Sequence, residues 1–170
     1  MTDLSKDHRL HGIVTVAAAL LEALLEEWNE DDDRRKEING RAGGYLTIYD
    51  AATGKPLLTP TPIGTVIQAK VAKYAAFCQE KALRLLIKMT SEGHISSRQS
   101  RNTGEDQWGG AILIVDENLI FSFSGLPELA DEAFMVRLAW EMAKISYSPE
   151  QGVEVATFAD PRANDYVAAA

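Results

Sequence analysis

Ser124-Gly125, followed shortly by Asp131-Glu132, are polar residues set into an otherwise apolar stretch. They follow apolar segments at residues 111–115 and 119–123, and Pro127 between them suits the first turn of a helix. Free backbone N–H groups at a helix start attract anions, so Ser124, Gly125 and Asp131 form a candidate ligand-facing loop. A structural role competes with this one. Glu128 and Asp131 complement the helix dipole, and Gly125 permits a tight strand-to-helix turn. The chain's own carboxylates oppose a bound anion, and capping is the weightier reading.

A second set lies upstream. His94, Ser96 and Arg98 share one face if their segment is a strand. Arg98 would then offer a bidentate grip on a carboxylate, and His94 an iron ligand or a base. The plainer reading is an edge strand whose charges deter aggregation, and it takes precedence. Trp108, beside Gly109-Gly110, suits a pocket wall, an interface or core packing. Lys73 would be a Schiff-base nucleophile only if buried, and helix lysines are mostly solvated. Cys78 falls on an apolar stripe and reads as a small buried hydrophobe.

Metal and triad chemistry are not supported. His8 and His11 lack further ligands at a recognised spacing, and the run Glu30-Asp31-Asp32-Asp33 lacks the glycine and distal glutamate of a calcium loop. No nucleophile-elbow spacing links serine, histidine and aspartate.

The elements that would position these residues follow from periodicity. Ile13, Ala17, Leu20, Leu24 and Trp28 predict a helix over about residues 10–29, stopped by the acidic run. Alternation predicts a strand at 45–50, a turn at 51–54 and a strand at 55–59 ended by Pro60 and Pro62. Ile67, Val71, Ala75, Cys78, Ala82 and Leu85 predict a helix over 65–88, lysines and glutamate outward, broken by Gly93. Residues 94–101 suit an edge strand or extended loop, and 102–107 a loop. A hairpin follows, turning at Asp116-Glu117-Asn118. The last helix has an inner stripe of Phe134, Leu138, Met142 and Ile145, broadened by Trp140. Hairpin connections imply antiparallel pairing, giving an α+β chain with a five-stranded antiparallel sheet flanked by helices. No βαβ unit with a glycine-rich phosphate fingerprint occurs.

At 170 residues the chain has the length of one domain, with ordinary globular composition (46% hydrophobic, 25% charged). We assign residues 1–147 to a single domain and 148–170 to a C-terminal extension packed on the domain or on a neighbouring subunit. Seventeen basic against 25 acidic residues give a net charge of −8, which argues against nucleic acid and membrane surfaces as partners. One cysteine allows no internal disulfide, so the expected setting is reduced and cytoplasmic. Lys6 and Arg9 before the apolar run 13–21 imitate a signal peptide, but Glu22, Glu26 and Glu27 follow with no small-residue cleavage site.

Order and spacing of several short motifs resemble one known family. Tyr49-Asp50-Ala51-Ala52-Thr53-Gly54 is similar to the hairpin of the GlcG/HbpS-like, so-called haem-degrading family. A Lys- and Ala-rich helix follows, as at 68–77, then a double-glycine strand, matched by Gly109-Gly110-Ala111-Ile112. Ser124-Gly125 and Asp131-Glu132 match the closing signature. The chain departs from the pattern where the helix lacks its threonine after Lys73 and where Ala111 replaces a proline. The resemblance spans about residues 45–145. It implies a profilin-like three-layer α/β/α fold and homo-oligomers, with haem bound by some members and no activity assigned to many.

These readings converge on a small-ligand-binding protein for haem or another planar carboxylate. The candidate ligand-binding residues are His94, Arg98, Trp108, Ser124, Gly125 and Asp131. No catalytic residue and no metal site is assigned. An oligomeric protein-interaction module and an enzyme with a small-molecule substrate are the alternatives.

Overall fold

In the computed structural model, the backbone is described for residues 4–115 and 117–146, and the side chains for residue 10, 12–115 and 117–142. The extension at 148–170, the side chains of His8, His11 and Ile145, and Asp116 of the hairpin turn lie outside the described residues.

The chain begins with α1 (Leu4–Glu30) and the short α2 (Asp32–Ile38). The acidic run between them does more than end a helix. Asp31 caps α2, its side chain accepting from the N–H groups of Asp33 and Arg34. Strand β1 (Ala42–Asp50) pairs antiparallel with β2 (Pro56–Thr65). Pro60 and Pro62 do not end β2 as expected. It is an outer strand paired on one side only, where a missing N–H is tolerated, and its register shifts opposite residues 46–48.

A 3-10 turn (Gln68–Lys70) leads into α3 (Val71–Glu92). Gly93 ends α3 in the left-handed region, φ 68°, donating its N–H to Lys88 and Met89 carbonyls. Strands β3 (Ala111–Ile114) and β4 (Leu119–Ser124) form the expected hairpin, with Asn118 at φ 50° in its turn. The last helix, α4 (Glu128–Ser146), follows directly.

The sheet has four antiparallel strands in the order β2-β1-β4-β3, so the expected fifth strand is absent among the described residues. Residues 94–101 pair with the sheet through an isolated bridge, Ser96 to Ile112, and the Ser97 hydroxyl accepts the Ala111 N–H of β3 at 3.0 Å. They curl instead into a 3-10 turn (Ser97–Ser100) held by a capping box of Ser96 and Gln99. Ser96 and Ser97 are buried, contrary to the solvated edge expected.

Alternation along the strands fills two layers. Leu46, Ile48, Phe121 and Phe123 pack with Ile13, Ala17, Leu21, Leu24 and Trp28 of α1 and with Phe134 and Leu138 of α4. On the opposite face Tyr49 and Ile120 meet Ala82 and Leu85 of α3. Ser122 also points there and donates to the Cys78 carbonyl at 2.6 Å. The architecture is therefore mixed α+β, with helices on both faces of the sheet. Residues 130–136 of α4 are buried all round. Trp140 does not broaden the inner stripe: it is 41% exposed. Among the described residues no helix is long and apolar enough to cross a membrane.

Candidate functional site

Lys81 is the residue around which the site is built. It lies on the apolar stripe of α3, between Cys78 and Leu85, and is 2% exposed, although periodicity assigned the helix lysines to solvent. Its Nζ donates to the Phe123 carbonyl and to Asp131 Oδ2, each at 2.9 Å. Both side chains of the ion pair are buried. An ammonium has three hydrogens, and the third has no acceptor among the described residues.

Glycines make that approach feasible. Gly110 sits at φ 116°, and a Cβ there would stand 2.9 Å from Lys81 Nζ and from the Asp131 Cβ. Gly125 acts differently from the turn-former expected. Its φ is not positive. A Cβ on it would fall 2.3 Å from the Gly43 carbonyl oxygen and 2.4 Å from Gly44 Cα, so its role is close backbone packing of the β4–α4 corner against β1.

Asp131 holds the start of α4 from inside. Its Oδ1 accepts the Leu126 N–H at 2.8 Å while Oδ2 faces Lys81. Burial pushes its carboxyl up to about 6, against the pull of Lys81, the Leu126 N–H and Arg41. Next to it, Glu132 is fully buried and hydrogen-bonded through Oε1 to the Ser96 hydroxyl. Its Oε2 has no partner among the described residues. Burial pushes Glu132 up to about 7, with the Ser96 bond and Arg98 opposing the rise.

Glu128 anchors the neighbouring loop. It accepts from the Gly109 N–H at 2.7 Å and from Arg101 at 2.8 Å, and its Oε2 forms an ion pair with an Arg98 guanidinium nitrogen 2.9 Å away. Arg98 therefore does grip a carboxylate, but one belonging to the chain. Arg84 ties the same loop to α3, donating to the Ser97 and Trp108 carbonyls and to Ser100 Oγ.

Lys81 and Asp131 line a cleft of about 470 Å³. Tyr74, Phe77 and Trp108 supply half-buried aromatic walls, and Arg41, Lys70 and Lys73 an exposed basic rim. Lys73 is a rim residue, its ammonium 5.3 Å from the Phe77 ring centroid. The Arg101 guanidinium lies 5.6 Å from the Trp108 ring centroid. Acidic Glu37, Asp106 and Glu128 share the lining, so the cleft is mixed in charge.

Of the six residues expected to bind ligand, Trp108, Ser124 and Asp131 meet in this cleft. Gly125 lies behind it as packing, and Arg98 reaches it only through Glu128. His94 is elsewhere. It lines a separate, more open groove of about 970 Å³ between α3 and residues 94–107, where its Nε2 is 3.2 Å from Glu92 Oε2. His94 stands apart because Gly93 and the Ser96 cap turn the chain before the sheet edge. Lys81 was missed although one signal marked it: a lysine at the i+3 position after Cys78 on an otherwise apolar stripe.

The cleft combines aromatic faces with both basic and acidic groups. Among the described residues its lining holds no histidine, cysteine or methionine, so the axial imidazole that haem would draw from His94 is not at hand. Cys78 is buried, its thiol pushed up to about 12 by burial. Among the described residues no group of three or more His, Cys, Asp or Glu is arranged to hold a metal ion. Compared with known proteins, the chain matches no family model, no curated protein and no solved structure.

Proposed function

We propose that this chain is a small-ligand-binding protein whose cleft takes a planar organic acid. The observation that carries this reading is the Lys81 ammonium: buried, oriented by two acceptors, lining the cleft, and with one hydrogen still to give. Tyr74, Phe77 and Trp108 offer faces for a flat ring, and the rim of Arg41, Lys70 and Lys73 offsets the repulsion of an acidic protein toward an anion. The layered arrangement of helices around the sheet supports a profilin-like α/β/α description and the GlcG/HbpS-like resemblance. We extend neither to haem, because among the described residues no histidine, cysteine or methionine lines the cleft. A cytoplasmic setting accords with the lone cysteine.

The test pairs native mass spectrometry of the untreated protein with calorimetric titration of naphthalene-2-sulfonate. A retained small acid, and sulfonate binding weakened at least tenfold by the uncharged pair Lys81→Met/Asp131→Leu, support the reading. No retained mass together with no binding, or binding indifferent to the double substitution, overturns it.

A second reading has its own observation. Ile67 (69%), Ile87 (66%) and Trp140 (41%) are large apolar side chains open to solvent. They favour an oligomeric interaction module, and the same native mass spectrum reports the oligomer order.

A further inference from the structure

Two anions cannot share one buried ammonium without cost, and this frames the chemistry of the cleft. Lys81 and Asp131 neutralise each other at 2.9 Å with both side chains withdrawn from solvent. An anionic ligand brought to the third hydrogen of Lys81 would leave the inner site with one excess negative charge. In a poorly hydrated site such an excess is relieved by taking up a proton. Asp131 is the group placed to accept it. Its Oδ1 already receives the Leu126 N–H, a bond that survives protonation at Oδ2. The new O–H at Oδ2 could then donate to the ligand's oxygen, beside the ammonium that Oδ2 faces now.

We propose that the cleft binds its anionic ligand together with one proton, the ligand replacing Asp131 as counter-ion of Lys81 while Asp131 becomes the neutral acid. The proposal rests on the cleft being a ligand site. The proton comes from solvent, goes to Asp131 Oδ2, and returns to solvent when the ligand leaves; no other bond is made or broken.

The surrounding groups point the same way. Arg41, ahead of β1, acts on Asp131 as a permanent cation. Cys78 of α3 stays a neutral thiol. Glu128 is held by Arg98, Arg101 and the Gly109 N–H. Glu132 is bonded to Ser96, and burial raises it to about 7, so its titration falls nearby. Burial has already raised Asp131 to about 6, the direction in which the incoming anion drives it further.

Naphthalene-2-sulfonate tests this because its sulfonate stays ionised, so any pH dependence of binding belongs to the protein. Its dissociation constant should fall roughly tenfold per pH unit from about pH 8 toward about pH 6.5. Calorimetry in two buffers of different ionisation enthalpy should report close to one proton taken up per ligand at about pH 7.5. Asp131→Asn keeps an acceptor for Leu126 and removes the titration, so it should bind more tightly at neutral pH, with a flat profile. Glu132→Gln should keep the wild-type slope.

No binding at any pH removes the site and the proposal together. Binding that is flat with pH and takes up no proton overturns the coupling alone and leaves the site standing. A slope that persists in Asp131→Asn, or vanishes in Glu132→Gln, also overturns it. If Asp131→Asn does not fold, the two-buffer proton count on the wild-type chain decides.

Discussion

Lys81 Nζ stands 2.9 Å from Asp131 Oδ2 beside the C-terminal end of β4, joining two helices that pack on opposite faces of the sheet. Breaking a buried pair from one side leaves an uncompensated charge. Lys81→Met or Asp131→Ala should therefore each cost ~3–5 kcal/mol. The uncharged pair Lys81→Met/Asp131→Leu should recover most of the loss. Urea denaturation midpoints of the three variants check this, and a double variant as unstable as either single one refutes it.

Glu132 makes stability depend on pH in an unusual sense. Burial raises its folded-state value from 4.5 to about 7, so the folded chain holds this proton more tightly than the unfolded chain. Its contribution is complete below about 4.5 and is lost as pH rises through about 7. Asp131, raised from 3.8 to about 6, acts in the same direction over a lower window. The denaturation midpoint should fall as pH rises across these windows. Glu132→Gln should flatten the upper part of that fall, and an unchanged slope in the variant would assign the effect elsewhere.

The elements that local periodicity or capping can encode were legible in the sequence. The apolar stripe of α1, the Gly93 stop of α3 and the turn of the β3–β4 hairpin all stand where residue spacing put them. The errors share a cause, which is dependence on distant partners. Pro60 and Pro62 looked like strand terminators because nothing local shows that β2 is an outer strand. Ser96 looked like edge-strand surface, yet its hydroxyl meets Glu132, 36 residues away. Trp108, Ser124 and Asp131 were picked out in the sequence, and they line one cleft. Lys81 was not, since its partner Asp131 lies 50 residues further on.

The β4–α4 corner should tolerate no added methyl group. A Cβ at Gly44 would stand 2.1 Å from the Ser124 carbonyl oxygen, and one at Gly125 would stand 2.3 Å from that of Gly43. Both neighbours are backbone and cannot rotate away. Gly44→Ala and Gly125→Ala should each lose ~3 kcal/mol. Gly104→Ala, where the nearest neighbour is the Asn102 side chain at 3.5 Å, is the matched control and should change stability by less than ~1 kcal/mol. Thermal midpoints that rank the three differently would contradict this packing.

Arg84 should prove irreplaceable by lysine. Its guanidinium spans Glu80 on its own helix, the Ser97 carbonyl at 2.6 Å, and both Ser100 Oγ and the Trp108 carbonyl at 2.5 Å. No ammonium can reach those acceptors at once, because the fork geometry supplies the directions. In Arg84→Lys the two carbonyls lose charge-assisted donors, at a cost of ~1.5–3 kcal/mol for each bond lost. The consequence should be local, because α3 keeps Cys78, Ala82 and Leu85 in their packed positions. Hydrogen exchange should rise across residues 95–110 while the β1 and β4 amides keep their protection. Trp108 would loosen with its carbonyl, so the cleft should bind the sulfonate probe more weakly although Arg84 does not line it. Exchange that rises uniformly over the chain would mean that Arg84 supports the whole fold, and unchanged exchange would mean that the loop holds without it.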